Sequence, residues 1–158
     1  MALRITDTLD DTTIARQLGS CRLVTLAAPS YLAKQGVPKQ PQDLYQHACL
    51  GYFSQATNKP WQYLIDGQLE NFYFTSSLQA NNGDALAQAA AKGMGLVLVP
   101  SFIAAKYVQT GQLEEVLADY APPALGIYAV LASNRFIPLR LASLLDFLTL
   151  KLATSPGW

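Results

Sequence analysis

The chain has 158 residues, of which 51% are hydrophobic, so a disordered chain is excluded and one globular domain or two small lobes can form. Eleven lysine and arginine residues balance eleven aspartate and glutamate residues, and only 14% of the residues are charged. The cations are scattered along the chain, whereas affinity for DNA depends on clustered cations, so this chain alone is not expected to bind nucleic acid.

Apolar stretches are too short to span a bilayer, since residues 93–105 are interrupted by Pro100 and residues 141–150 by Asp146. The first residues do not combine a basic segment with an apolar one, so no export signal and a cytoplasmic location are expected. Cys21 and Cys49 lie in separate apolar runs without a Cys-x-x-Cys spacing. This spacing favours buried thiols over a disulfide, and no metal site or cofactor is predicted.

Strand-like apolar runs alternate with amphipathic helical runs, which is typical of an α/β protein whose helices cover a largely parallel sheet. The predicted strands are residues 22–28, 48–53, 96–99 and 124–132, and Asp66 and Gly67 form the turn of a hairpin between 61–65 and 69–74. A polar loop is expected at 54–60 and a short helical turn at 43–45. Four helices are predicted: from Pro29 to Gly36, from a cap at 81–84 to Gly93, from a Ser101 cap to about Gln109, and from Pro138 to Ala153.

Residue types that carry catalysis are sparse. His47 is the only histidine, and its neighbours offer no nucleophile or metal ligand, so a surface or strand-edge position is favoured. The acidic pairs at 10–11 and 114–115 diverge in direction and are read as solvated residues. Gly93 and Gly95 stand between a helix and a strand, which indicates a helix end with close packing, not a phosphate loop. Ser101 lacks the surroundings of a nucleophile elbow and is read as a helix cap.

Three strand-to-helix switches, at 28–30, 81–83 and 99–101, are better candidates for a binding site. Ligands in open α/β sheets bind beyond the carboxyl ends of strands, where helix N-termini present N–H groups. Asn82 and Gly83 are the best such donors, although ordinary capping also accounts for each residue singly.

Several short segments keep a characteristic order and spacing over nearly the whole chain: Leu3–Asp7, Leu9–Asp11, Ala15–Gly19, Leu26–Leu32, Asp43–Leu44, His47–Leu50, Asn82–Leu86, Ala91–Leu96, Val99–Pro100, Tyr128–Val130, Arg135 and Asp146–Leu148. In this combination the sequence resembles the effector-binding (substrate-binding-like) domain of LysR-type transcriptional regulators.

The resemblance implies an α/β, periplasmic-binding-protein-like (type II) two-lobe fold, with lobe II complete and lobe I partial. Residues 1–21 would form part of lobe I and the first crossover, 22–129 lobe II, and 130–158 the second crossover and the C-terminal helix of lobe I. The family's winged helix-turn-helix domain and the first part of lobe I have no counterpart here. Contact with DNA is therefore expected only through a helix-turn-helix domain that this chain does not contain.

The resemblance also implies a pocket for a small-molecule effector in the cleft between the lobes. Its cleft-facing positions fall on Thr6, on Tyr52 and Trp61 around the predicted loop, and on Asn82, Gly83 and Pro100 at two switches. An aromatic pair with an amide cap suits a pocket that needs a few oriented polar groups among apolar walls.

The implied function is a non-catalytic sensor in a cytoplasmic, homo-oligomeric regulator, in which the effector shifts the relative orientation of the lobes. An exported solute-binding protein of a transport system remains an alternative, and an upstream export signal instead of a helix-turn-helix would distinguish it. A small α/β enzyme is a third, less favoured reading. The C-terminal helix carries a stripe of five leucines that must be covered, which predicts a homodimer with Leu141, Leu145 and Leu148 at its centre.

Overall fold

A computed structural model describes residues 1–53, 60–131 and 138–154 of the chain. These residues separate into two compact units, one formed by Met1–Arg22 with the residues from Ala124 onward and the other by Leu23–Pro123. The expected strand at 124–132 therefore belongs to the first unit. The expected loop at 54–60, apart from Pro60, and Arg135 lie outside the described residues.

Ten strands and four α-helices lie within the described ranges. The strands are β1 (Ala2–Thr6), β2 (Ala15–Cys21), β3 (Leu23–Ala27), β4 (Cys49–Tyr52), β5 (Trp61–Ile65), β6 (Gln68–Phe72), β7 (Leu78–Ala80), β8 (Leu96–Pro100), β9 (Glu114–Val116) and β10 (Leu125–Val130). The helices are α1 (Pro29–Gln35), α2 (Gly83–Ala91), α3 (Ser101–Gln109) and α4 (Leu139–Thr154), with short 3₁₀ segments at Pro41–Gln46 and Ala118–Tyr120.

The first unit is a three-stranded antiparallel sheet in the order β1-β10-β2, with α4 packed against β2. Leu145 of α4 is 1% exposed and packs with Leu18 and Ala129 of the sheet. Arg16 on β2 forms a salt bridge of 2.7 Å with Asp146 on α4. The two ends of the chain thus build one small layered unit.

This packing shows that the predicted dimer centred on Leu141, Leu145 and Leu148 is wrong. Leu141 and Leu148 pack onto the same cluster as the buried Leu145, so β2 and β10 of the same chain cover the stripe. Only Leu144 of the predicted stripe points away from the cluster, with 42% of its surface exposed. The leucine stripe was visible in the sequence, but the sheet of β1, β2 and β10 that covers it was not.

The second unit contains a five-stranded mixed sheet in the order β7-β4-β8-β3-β9. β4 runs parallel to β7 and β8, whereas β3 runs antiparallel to β8 and β9. The largely parallel sheet predicted from the sequence is therefore wrong for half of these pairings. The reason lies in the connection from β3 to β4. The short helix α1, capped by Gly36, and the 3₁₀ segment after it stay at the sheet edge where β3 ends, and β4 begins at that same edge. Because the chain does not cross the sheet between β3 and β4, the two strands run in opposite directions.

A separate hairpin, β5–β6, packs onto the core of the second unit. Its turn places Asp66 at φ 50° and Gly67 at φ 78°, which confirms the predicted tight turn. Tyr63 of β5 is buried, and its hydroxyl lies 2.7 Å from the hydroxyl of Thr25 on β3. This hydrogen bond links the hairpin to the sheet.

Two predictions from local sequence are confirmed. Gly93 ends α2 at φ 79°, and a Cβ atom on Gly95 would overlap the carbonyl group of Ala48, so both glycines serve a helix end and close packing. Cys21 and Cys49 are buried free thiols. Burial raises the pKa of the Cys49 thiol to about 12, so this group stays protonated near neutral pH.

Candidate functional site

Three parallel strands of the second unit end at one edge of the sheet. β4 pairs in parallel with both β7 and β8, and these strands end at Tyr52, Ala80 and Pro100. The N–H of Phe53 donates to the carbonyl oxygen of Ala80 at 2.8 Å and prolongs the pairing beyond Tyr52. The chain segments that follow these strands therefore begin side by side, at the position where α/β sheets bind ligands.

Aromatic side chains at this edge differ from those predicted. Tyr52 is 58% exposed, and the neighbouring Phe53 is also exposed. Trp61 is only 7% exposed and packs edge-to-face on Phe74, with 4.8 Å between ring centroids. Tyr52 and Phe53 are thus both accessible, although neighbouring residues of an extended strand point to opposite faces. Trp61 lies in the core, and its role in binding stays a prediction.

Asn82 and Gly83 form the start of α2, as the sequence predicted. The side-chain oxygen of Asn82 accepts hydrogen bonds from the N–H groups of Asp84 and Ala85 at 2.9 and 3.1 Å. A Cβ atom on Gly83 would lie 2.8 Å from Ile103 of α3, so the glycine allows α2 and α3 to approach closely. Asn82 remains exposed at the edge, while the glycine serves packing.

Asp84 directs its negative charge toward α3. Its carboxylate lies 2.6 Å from the ammonium group of Lys106 and accepts hydrogen bonds from Gln88 and from the Tyr107 hydroxyl. Lys106 and Gln88 are the main partners that lower the pKa of Asp84 below its usual value. At the N-terminus of α2, Asn82 thus caps two N–H groups, while the Asp84 carboxylate is engaged by α3 and by Gln88.

The start of α3 has a different character. Pro100 is its N-cap residue, no side chain caps the helix, and its first turn carries no acidic residue. Ser101 is the first helical residue, so its predicted role as helix cap is wrong. Its hydroxyl oxygen is buried without a hydrogen-bond partner among the described residues. Sequence analysis placed Ser101 in the switch at 99–101 but did not foresee its buried hydroxyl, and it did not single out Phe53, the last residue of the predicted strand 48–53.

Thr6 lies in the first unit, at the end of β1. Its hydroxyl donates to the carbonyl oxygen of Thr8 at 2.8 Å and also accepts from the N–H of Thr8. The second unit brings together Tyr52, Asn82, Gly83 and Pro100, whereas Thr6 belongs to a separate unit and makes local hydrogen bonds.

His47 lies just before β4, at the end of the strand opposite to Tyr52. Its Nδ1 atom is 3.1 Å from the Tyr31 hydroxyl, which also accepts the N–H of Ala48 at 3.0 Å. Burial lowers the pKa of His47, and the nearby carboxylate of Asp43 partly opposes this effect. The strand-edge position predicted for His47 fits this structural arrangement.

The described residues contain neither a cluster of metal-ligating side chains nor a membrane-spanning helix. No group of three or more histidine, cysteine, aspartate or glutamate residues could hold a metal ion in the ranges that the structure covers. Within the same ranges, no helix has the length and apolar character needed to cross a bilayer.

The chain is similar to known proteins in both sequence and structure. The model of the LysR substrate binding domain family matches residues 1–153. The chain belongs to this family. The regulatory domain of CrgA, a LysR-type regulator from Neisseria meningitidis, is 32% identical and superimposes with a TM-score of 0.81 over 95% of this chain and 74% of that domain. The chain therefore has the fold of LysR regulatory domains, which is the periplasmic-binding-protein-like type II fold.

Related sequences are named as transcriptional regulators. An HTH-type regulator from Xanthomonas campestris is 32% identical over 96% of this chain and 45% of its own length. An uncharacterized HTH-type regulator from Haemophilus influenzae is 30% identical over 91% of this chain and 50% of its own length. The chain thus spans about half the length of these relatives, and their descriptions favour a regulator over a transport protein.

Proposed function

We propose that the chain is the effector-sensing part of a LysR-type transcriptional regulator and binds a small molecule at the edge formed by Tyr52, Asn82 and Pro100. The observation that carries the proposal is the convergence of three parallel strand ends at this edge. It occurs in a chain that the LysR substrate-binding family matches over nearly its whole length.

In this proposal the second unit is lobe II of the effector-binding domain and the first unit is part of lobe I. Thr6, at the end of β1 in the first unit, stays a predicted effector-binding residue. The effector would favour one relative orientation of the lobes, which is how a ligand shifts a population of conformations.

The side chains at the edge suit an effector with a planar apolar part and an oxygen-rich end. Tyr52 offers an exposed ring for the apolar part. The side-chain nitrogen of Asn82 is a donor that the two capping bonds leave unused, and the start of α3 presents the positive end of a helix dipole. Trp61, which packs on Phe74, stays a predicted contact.

Binding without catalysis is the activity we infer. His47 lies at the opposite end of β4, and burial raises the pKa of both cysteine thiols, so neither the histidine nor a thiolate is presented at this edge. The regulator would act in the cytoplasm as a homo-oligomer and would contact DNA through a helix-turn-helix domain outside this chain.

The test uses protein-observed ¹H–¹⁵N NMR of the labelled chain with a panel of small organic acids and aromatic acids. We expect hits to shift the amide signals of Tyr52, Asn82 and Ser101, and Tyr52→Ala to weaken binding about tenfold, equivalent to about 1.4 kcal/mol. Tyr45→Ala is the matched control, because Tyr45 is equally exposed but precedes β4. Hits that shift other residues alone, or equal losses in both variants, would contradict the proposal.

A further inference from the structure

The start of α2 carries a negative charge close to the candidate edge. Asp84 is the only charged residue in the segments 80–85 and 100–105, which follow the ends of β7 and β8. Gly83, directly before it, packs against Ile103 of α3, so the carboxylate lies near the starts of both helices. An uncompensated carboxylate in this position would repel an anion that approached the N–H groups at these helix starts.

Lys106 of α3 compensates this charge. Its ammonium nitrogen lies 2.6 Å from Oδ1 of Asp84 and 4.9 Å from the centroid of the Tyr107 ring. Tyr107 is buried, and its hydroxyl donates to the same carboxylate oxygen at 3.2 Å. The ammonium group is thus held between a carboxylate and a buried ring, which restricts it more than an ordinary surface ion pair restricts its partners.

The other carboxylate oxygen of Asp84 is also engaged. Its Oδ2 atom accepts a hydrogen bond of 2.8 Å from the side-chain nitrogen of Gln88, one turn further along α2. Hydrogen bonds from Lys106 and Gln88 lower the pKa of Asp84, and the contact with Asp84 raises the pKa of Lys106. Both groups are therefore charged at neutral pH, and the pair as a whole has no net charge.

We propose that Lys106 is a specificity-determining residue, which admits anionic ligands to the edge by neutralising Asp84. Without Lys106, the carboxylate would favour neutral or cationic ligands instead. Lys106 acts through Asp84 and is a positioning residue, since it holds the carboxylate against α3. The inference rests on the proposed effector site and deepens it, because it assigns the charge preference to a pair outside Tyr52, Asn82 and Pro100.

The charge at the edge can be measured without any bound effector. Two small nitroxides that differ only in a carboxylate or a carboxamide relax nearby amide protons in proportion to their local concentrations. At about 10 mM salt, Lys106→Met should lower the ratio of anionic to neutral relaxation enhancement at Asn82 and Ser101 about twofold. Asp84→Asn should raise this ratio, and the double variant should return it close to that of the parent chain.

Lys92→Met is the control for the nitroxide measurement. Lys92 is exposed at the other end of α2, about 13 Å along the helix axis from its start, and its replacement changes the total charge equally. The ratio at Asn82 and Ser101 should fall clearly less in this variant. An unchanged ratio in Lys106→Met, or equal falls in both lysine variants, would overturn the proposal.

Benzoate and its neutral counterpart benzamide separate charge from packing. Lys106→Met should weaken benzoate binding, followed by the amide shifts of Tyr52, Asn82 and Ser101, about fivefold at low salt and leave benzamide within about twofold. Asp84→Asn in the same chain should restore benzoate binding. Equal weakening of both probes would mean that the pair only holds α2 against α3, and the proposal would be wrong. If neither probe shifts these residues, the proposed site is contradicted, and the nitroxide ratios alone decide the role of the pair.

Discussion

The two units of the molecule differ in how completely their sheets are covered. In the second unit, consecutive residues Leu96 and Val97 of β8 are both buried, which means that both faces of the central strand are covered. The first unit has a smaller buried cluster formed by Leu18, Ala129 and Leu145, and its strand β1 is exposed throughout. The comparison indicates that most of the packing stability resides in the second unit, while the first depends on one helix.

The largest effect is expected from Leu50→Ala in the second unit. Leu50 is buried in β4, and its truncation should lower the free energy of unfolding by about 2–5 kcal/mol in urea denaturation. Leu98→Ala serves as a control. Leu98 is only partly buried, so the loss of stability on its truncation should be smaller. Equal losses of unfolding free energy in the two variants would contradict the difference in burial between Leu50 and Leu98.

Leu145→Ala should separate the behaviour of the two units. Truncation removes the centre of the small cluster and should cost the first unit about 2 kcal/mol. Hydrogen exchange monitored by mass spectrometry should accelerate in β1, β2 and β10 and remain unchanged in β4 and β8. Faster exchange in both units would mean that they unfold as one cooperative body.

Tyr63→Phe removes a buried hydrogen bond of the second unit, whereas Arg16→Ala removes an exposed ion pair of the first. The change leaves the buried hydroxyl of Thr25 without its partner and should cost about 1–2 kcal/mol. Arg16→Ala breaks the exposed ion pair of the first unit and should cost less than about 1 kcal/mol. The double change Thr25→Val with Tyr63→Phe should recover part of the loss, and no recovery would argue against the hydroxyl pair.

The smallest effect concerns pH and belongs to the second unit. Because the pKa of His47 is lowered in the folded chain, protonation favours unfolding. The stabilisation is present above the ordinary pKa of histidine and is lost as the pH falls through the lowered value. Denaturation between about pH 7.5 and 5.5 should therefore show a decline that His47→Gln reduces. A decline of the same size in the variant would assign it to other groups.

Local features of the fold were predictable from short stretches of sequence. The hairpin turn at Asp66–Gly67, the Asn82 cap and the helix end at Gly93 follow from backbone preferences of the residues themselves. The direction of β3 and the cover of the leucine stripe were not predictable in this way. They depend on pairings between distant segments, such as Leu145 with Leu18, that no local pattern specifies.

The candidate site shows the same division between local and distant signals. Pro100 was found because ligands bind at strand-to-helix switches, whereas Tyr52 came from the family resemblance. The exposure of Tyr52 and the burial of Trp61 depend on how the hairpin packs, which the sequence does not reveal. Ser101 was read as a cap because serine favours that position, but the structure gives the position to Pro100.

Gly83 bears on how a site of this kind can diversify. A methyl group at this position would meet the terminal methyl of Ile103, which has to turn aside in the contact between α2 and α3. Tyr52, by contrast, projects into solvent and can be replaced with little cost to folding. Mutations that change ligand preference are therefore tolerated more readily at Tyr52 than at Gly83, where each added atom must first be accommodated between two helices.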